Sequence, residues 1–148
     1  MSSQEVDKYK LDKAQLRNLY YPQISKDKQY IEYNQWKKDF PNDCEPSVNN
    51  DNCGVHYGSG ILNKAVSKLI ETNGIEKWRH IIFNTALLRL NSDSHFVDYG
   101  LQLYEECYEA IEDSTLTNNS KLLEQDCENI IKFFEEVGIH LNSSQVNQ

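Results

Sequence analysis

The sequence predicts an all-α fold, a bundle-like domain of four to five helices that follows an irregular amino-terminal region. Three observations lead to this class. The three prolines all lie before residue 47, so no proline interrupts a helix after that point. From residue 60 onward apolar residues recur at helical spacing, strand signals are few, and no internal repeat is found. We therefore expect one domain over residues 1–139, mostly loops over 1–58 and four helices over 59–139, with a flexible tail over 140–148.

Capping residues and apolar spacing define the first two helices. Ser59 is expected to cap a helix that ends at Asn73 and Gly74. Its buried face is predicted to hold Ile61, Leu62, Ala65 and Leu69. The second helix, about 75–90, has apolar residues around most of its circumference, so we expect it to lie at the centre of the domain. These apolar residues are Trp78, Ile81, Ile82, Phe83, Ala86, Leu87 and Leu88.

Two further helices follow the polar sequence NSDS, which supplies capping residues. The third is predicted over about 95–112 and the fourth over about 120–137, with its end at Gly138. The apolar stripe of the third helix is predicted to be Val97, Leu101, Tyr104 and Tyr108. That of the fourth is predicted to be Leu123, Cys127, Ile130, Ile131 and Phe134.

The net charge disfavours several classes of partner, and the start of the sequence bears on export. A net charge of −8 disfavours binding to nucleic acid or to an anionic membrane, and no apolar run approaches the length of a membrane span. We expect no nucleic-acid partner and no membrane partner. The start MSSQEVDKYKLDK lacks the apolar core of a signal peptide. As written, the chain is expected to be soluble and unexported, and secreted if it is part of a longer precursor.

Four cysteines occur without a CxxC pair, and we expect them to be ordinary thiols. Because Cys44 and Cys53 share a loop-like segment, a local disulfide between them is the alternative in an oxidising compartment. Cys107 and Cys127 fall on predicted helices. A metal site built from Cys44, Cys53 and His56 has suitable ligand types, but the spacing matches no common zinc site.

A histidine stands where the loop region meets the first helix. His56 precedes a predicted helix amino terminus, where the helix dipole and free N–H groups favour negative charge. Asp51, five residues upstream, can accept a hydrogen bond from one imidazole nitrogen and direct the other outward. These residues suit the binding of an oxyanion. The alternative is that His56 only fills the loop and that Asp51 is a turn residue.

The sequence around this histidine resembles a known motif. The run DNCGVHYGSGILNKA is similar to the D-N-G-G-V-H-x-N-S-G-I-x-N-K-A signature of the thermolysin-like zinc metallopeptidases, although Cys53 replaces a glycine and Gly58 an asparagine. LRNLYYP resembles the family's L-R-S-M-x-D-P segment, and FFEEVGI resembles the A-F-x-x-V-G-V that closes its last helix. The resemblance covers residues 16–139 and implies the helical carboxy-terminal domain of that family.

The resemblance implies roles for four residues. His56 would stabilise the tetrahedral oxyanion or donate a proton, and Asp51 would orient it. Arg17 would bind the carbonyl oxygen of the substrate, and Leu16 would line the pocket for the residue after the cleaved bond. In the family's reaction a zinc-activated water attacks a peptide carbonyl, and donors at the oxygen lower the barrier.

The H-E-x-x-H motif, which supplies two zinc ligands and a catalytic glutamate, does not occur in this sequence. We therefore expect that this chain binds no zinc by itself and is not active alone. The implied partners are a peptide or protein substrate and a zinc-bearing amino-terminal domain or separate chain. The alternative function is a non-catalytic peptide-binding or regulatory module of the same fold.

Overall fold

A computed structural model of the chain describes residues 29–112 and 121–142. Within these ranges the order is α1 (Tyr33–Asp39), a 3₁₀ turn (Val48–Asn50), α2 (Asp51–Asn73), α3 (Ile75–Asn84), a π-helical segment (Thr85–Arg89), α4 (Phe96–Glu112) and α5 (Glu124–Glu135). No strand occurs in either range, and the all-α prediction is confirmed. Over the same residues no helix has both the length and the apolar composition to cross a membrane.

Helix α2 ends where the sequence predicts but begins earlier. At its carboxyl end the N–H of Gly74, at φ 81°, donates to the Ile70 carbonyl at 2.7 Å. The predicted cap at Ser59 is wrong, since Ser59 lies inside the helix and its hydroxyl donates to the His56 carbonyl at 2.7 Å. The early start arises because Asp51, the first residue of α2, accepts from the backbone N–H groups of His56 and Tyr57.

The core lies where α5 packs against both α2 and α4. The predicted face of α2 is confirmed, with Ile61, Ala65 and Leu69 fully buried. Burial of the Ile61 or the Leu69 side chain contributes about 1.5–3 kcal/mol, and that of the smaller Ala65 contributes less. Gly100 allows α4 to approach α5 closely, because a Cβ at that position would lie 2.8 Å from Cδ1 of Phe134.

The buried lines of α4 and α5 are shifted from the predicted stripes. On α4 the buried residues are Gly100, Leu103 and Cys107, and the predicted residues border them as partly buried side chains. On α5, Cys127, Ile130 and Phe134 are buried as predicted. Leu123 is 59% exposed, because the neighbouring Leu122 enters the core in its place.

Among the described residues helix α3 lies at the edge of the helical bundle, so the prediction of a central position is wrong for this part of the chain. It packs against α2 and α4 through one face, on which Trp78 and Ile81 are buried. On the other face Phe83 is 62% exposed and, in the following π-helical segment, Leu88 is 77% exposed. Apolar composition indicates that a helix prefers burial, but the number of neighbouring elements decides how much of its circumference is covered.

The cysteines form two disulfides, Cys44–Cys53 and Cys107–Cys127, and the expectation of four thiols is wrong. The first pair is the local alternative that the sequence left open. The second joins α4 to α5 across 20 residues of sequence, with a Cα–Cα distance of 5.7 Å. Sequence spacing alone does not reveal this pair, because only helix packing brings the two residues together.

A buried carboxylate connects three helices at the carboxyl end of α2. Asp126 accepts from the Leu123 N–H at 2.8 Å at the start of α5 and from Lys77 Nζ of α3 at 3.1 Å. Asn73, the last residue of α2, donates its side-chain amide to the same carboxylate. The Asp126 side chain is only 6% exposed, so the loss of its oxygens would leave these donors unpaired in a largely dry site.

Asp126→Ala is therefore expected to lower the free energy of unfolding by about 2–3 kcal/mol, or the melting midpoint by roughly 5–10 °C. Glu76→Ala is the matched control, because Glu76 pairs with Arg79 on the exposed surface of α3. It should cost less than about 1 kcal/mol. Thermal and urea unfolding of both variants measure the difference, and equal losses would contradict the structural role of Asp126.

Candidate functional site

The candidate site is the amino end of α2, where four successive residues have a left-handed backbone. The φ angles are 56° at Asp51, 50° at Asn52, 63° at Cys53 and 72° at Gly54. Right-handed helical geometry starts at Val55. Aspartate, asparagine and glycine are the residues that adopt this conformation most readily, whereas Cys53 has no such preference.

The Asp51 carboxylate serves the helix and the histidine at the same time. Its Oδ2 accepts from the backbone N–H of His56 at 2.9 Å and of Tyr57 at 3.3 Å. Its Oδ1 contacts Nδ1 of the His56 ring. The side chain of Asp51 is 19% exposed and that of His56 is 63% exposed. One carboxylate thus caps the helix and fixes the orientation of an exposed imidazole.

Hydrogen bonding favours the ionised form of this carboxyl group. Partial desolvation raises the pKa of Asp51, but the hydrogen bonds from the His56 ring and from the backbone N–H groups of His56 and Tyr57 outweigh it. The pKa of Asp51 therefore lies below its ordinary value. An ionised carboxylate accepts but does not donate, so Nδ1 of His56 carries the proton of the contact and Nε2 is directed away from it.

Aromatic side chains of α1 and its carboxyl end support the loop. Trp36 Nε1 donates to the Gly54 carbonyl at 3.2 Å. The Phe40 ring lies so close that a Cβ at residue 54 would come within 2.3 Å of it, and the φ of this residue is positive. Only glycine meets both requirements at this position.

Two cavities adjoin the residues on either side of His56 in the sequence. One, of about 710 Å³, is lined by Val55 together with Trp36, Phe40 and Phe96. The other, of about 510 Å³, is lined by Tyr57 together with Tyr30 and Phe40. Both have aromatic walls, which suit the apolar or aromatic groups of a ligand.

The structure brings together two of the four residues that the sequence singles out. Asp51 and His56 are in contact, which is one of the two arrangements that the sequence left open. Arg17 and Leu16 lie outside the described residues. Sequence reasoning missed Asn50, whose side chain accepts from the Cys53 N–H and so supports the loop. A signal was present, because the run of asparagines and Asp51 before Gly54 favours a left-handed backbone.

The residues of the described ranges do not fit a zinc ion. They contain no group of three or more histidine, cysteine, aspartate or glutamate side chains arranged to hold a metal. The alternative site of Cys44, Cys53 and His56 is wrong, because the two sulfurs are bonded to each other and neither is a thiolate.

The fold and the site place the chain in a class of proteins. It is an all-α domain with a histidine at a helix amino terminus, and a carboxylate orients that histidine. A family model described as "thermolysin metallopeptidase, alpha-helical domain" matches residues 3–120. The match covers well over half of the 148 residues, and the chain belongs to this family. The resemblance drawn from DNCGVHYGSGILNKA is confirmed.

The depressed pKa of Asp51 predicts how stability depends on pH. A carboxyl group with a lowered folded-state pKa stabilises the fold above its unfolded pKa, and that contribution is lost as the pH falls through the folded value. Asp51→Asn should cost about 0.5–1 kcal/mol of unfolding free energy at pH 7. The difference from the unsubstituted chain should close as the pH falls below 3.8, the ordinary aspartate value. Urea unfolding from pH 7 to pH 2 measures it.

Asp93→Asn is the control for this titration, because Asp93 is an exposed residue in a turn that is distant in sequence from Asp51 and His56. A difference between Asp51→Asn and the unsubstituted chain that stays constant over the whole pH range would contradict the bond network around Asp51.

Proposed function

We propose that this chain supplies the oxyanion-stabilising side of a thermolysin-like metalloendopeptidase active site. His56 donates from Nε2 to the tetrahedral oxygen of a peptide carbonyl under attack, and Asp51 holds the ring in place. The observation that supports this proposal best is the Asp51 contact at Nδ1 of a ring that is 63% exposed. Family membership supports the same assignment.

The protonation state of the His56 ring decides whether Nε2 can donate a hydrogen bond. Because Nδ1 donates to Asp51, Nε2 of a neutral ring has only a lone pair, and it becomes a donor when the ring is doubly protonated. A carboxylate in this position orients the ring and stabilises the imidazolium. The protonated ring can then stabilise developing negative charge or pass its Nε2 proton to a leaving amine.

Two further residues complete the proposed site. Arg17 would bind the carbonyl oxygen of the substrate, and Leu16 would contact the residue after the cleaved bond. Both assignments rest on LRNLYYP and its resemblance to the family segment.

We propose that the zinc ligands are supplied by another part of the enzyme, a zinc-bearing amino-terminal domain or a separate chain. The 148-residue sequence has no H-E-x-x-H, and the described residues do not form a metal site. On this proposal the chain does not hydrolyse peptides alone, and its own residues contribute substrate binding and charge stabilisation.

The direct test is the binding of a tetrahedral anion. A phosphonamidate dipeptide carries charged phosphoryl oxygens in the geometry of the oxyanion, and its binding should shift the His56 ring resonances of the full chain. Loss of one charge-assisted hydrogen bond in His56→Ala should weaken binding by about 10- to 100-fold. NMR titration measures both effects.

His80→Ala is the matched control, since His80 is an exposed histidine on α3. It should bind the phosphonamidate as the unsubstituted chain does. The planar peptide amide of the same sequence is the second control. Equal affinity for the two ligands, together with full binding by His56→Ala, would contradict the oxyanion site and favour a non-catalytic peptide-binding module.

Hydrolysis tests the complete proposal. When the chain is joined to an amino-terminal domain that carries H-E-x-x-H and zinc, His56→Ala should lower kcat by about 10²–10³ and change KM little, because the lost donor acts mainly in the transition state. His80→Ala should retain full activity. Peptide turnover with each fusion measures the ratio, and an unchanged kcat in His56→Ala would exclude the assigned role.

A further inference from the structure

The loop before Val55 is closed on itself by a covalent bond. The disulfide between Cys44 and Cys53 spans nine residues of sequence, with a Cα–Cα distance of 6.0 Å. Cys53 lies two residues after Asp51 and three before His56. A link at this point restricts the direction in which the chain leaves Asp51.

The backbone at Cys53 needs such restraint. Its φ of 63° is unfavourable for a residue with a Cβ, and the family signature has a glycine at the equivalent place. Asp51 and Asn52 share the left-handed conformation. A run of this kind persists only when surrounding contacts determine it.

Asn50 provides the second restraint on the same loop. Its Oδ1 accepts from the Ser47 N–H at 2.9 Å and from the Cys53 N–H at 3.1 Å, and its Nδ2 donates to the Glu45 carbonyl at 2.9 Å. The N–H of Asn52 donates to the Ser47 carbonyl at 2.8 Å. The side chain and the backbone of Cys53 are therefore both attached to residues 44–50.

We propose that Asn50 and the Cys44–Cys53 disulfide are positioning residues for the Asp51–His56 pair. They hold residues 51–54 in the left-handed conformation from which the Asp51 carboxylate reaches both the imidazole and the helix N–H groups. The effect of this positioning on substrate binding rests on the proposed function. The positioning itself can be measured without any ligand.

The second disulfide offers an internal control. Cys107 and Cys127 are both fully buried in the core between α4 and α5. We expect their removal to lower global stability and to leave the loop contacts in place. Cys44 and Cys53 are only partly buried, so dithiothreitol should reduce this pair first. Two electrons and two protons pass to the sulfurs, giving two thiols, and the reagent becomes its cyclic disulfide.

The experiment compares Cys44→Ser/Cys53→Gly with Cys107→Ala/Cys127→Ala in the full chain. Glycine at residue 53 accepts the left-handed backbone, so the first variant removes the link without added strain. Carboxyl NMR titration of Asp51 is the readout. We expect the pKa of Asp51 to rise to its ordinary value in the first variant and to remain lowered in the second, whose melting midpoint falls.

Asn50→Ala and Asn49→Ala form a second matched pair, because Asn49 is an exposed neighbour in the same turn. Asn50→Ala should raise the Asp51 pKa and Asn49→Ala should not. Circular dichroism confirms that each variant is folded. If a loop variant does not fold, native reduction of the unsubstituted chain, with alkylation and mass mapping, gives the same comparison.

An Asp51 titration that is unchanged after loss of the loop disulfide, or shifted equally by both disulfide variants, would overturn the positioning role. The phosphonamidate titration separates this failure from that of the proposed function. Phosphonamidate binding that is intact in the unsubstituted chain but about tenfold weaker in the loop variants supports both the positioning role and the oxyanion site. A shifted Asp51 titration without any phosphonamidate binding keeps the positioning role and rejects the oxyanion site.

Discussion

The Asp51 carboxylate is the interaction on which the amino end of α2 depends. An α-helix leaves its first N–H groups without internal partners, and here two of them donate to this one side chain. The same carboxylate contacts the His56 ring. The bond that starts the helix therefore also orients the histidine, so the histidine has its proposed geometry only when the helix has formed.

A second carboxylate organises the other end of the same helix. Asn73, at the end of α2, donates to the Asp126 carboxylate. The same carboxylate accepts from the Leu123 N–H at the start of α5 and pairs with Lys77 of α3. Between these two ends, Ile61, Ala65 and Leu69 form the face of α2 that enters the core. Helix α2 is thus held by polar bonds at both termini and by apolar burial along its length, and this makes it a rigid base for an exposed histidine.

The left-handed residues 51–54 at the start of α2 depend both on residue type and on a covalent bond. Glycine at residue 54 permits both a positive φ and the close approach of the Phe40 ring. Cysteine at residue 53 lacks that freedom but gains a bond to Cys44. A family signature with glycine at the equivalent position would leave the turn to backbone preference alone. In this chain the turn is determined by the disulfide and by the Asn50 side chain.

The sequence by itself determined the all-α class, the carboxyl end of α2 and the buried face of α2, and it singled out Asp51 and His56 as a candidate pair. These features depend on local spacing, capping chemistry and a run of matched motif residues, which the linear chain displays directly. It did not determine the start of α2, the edge position of α3 or the Cys107–Cys127 bond. Those depend on contacts between distant residues, such as the packing of α4 on α5, and only the tertiary structure decides which faces meet.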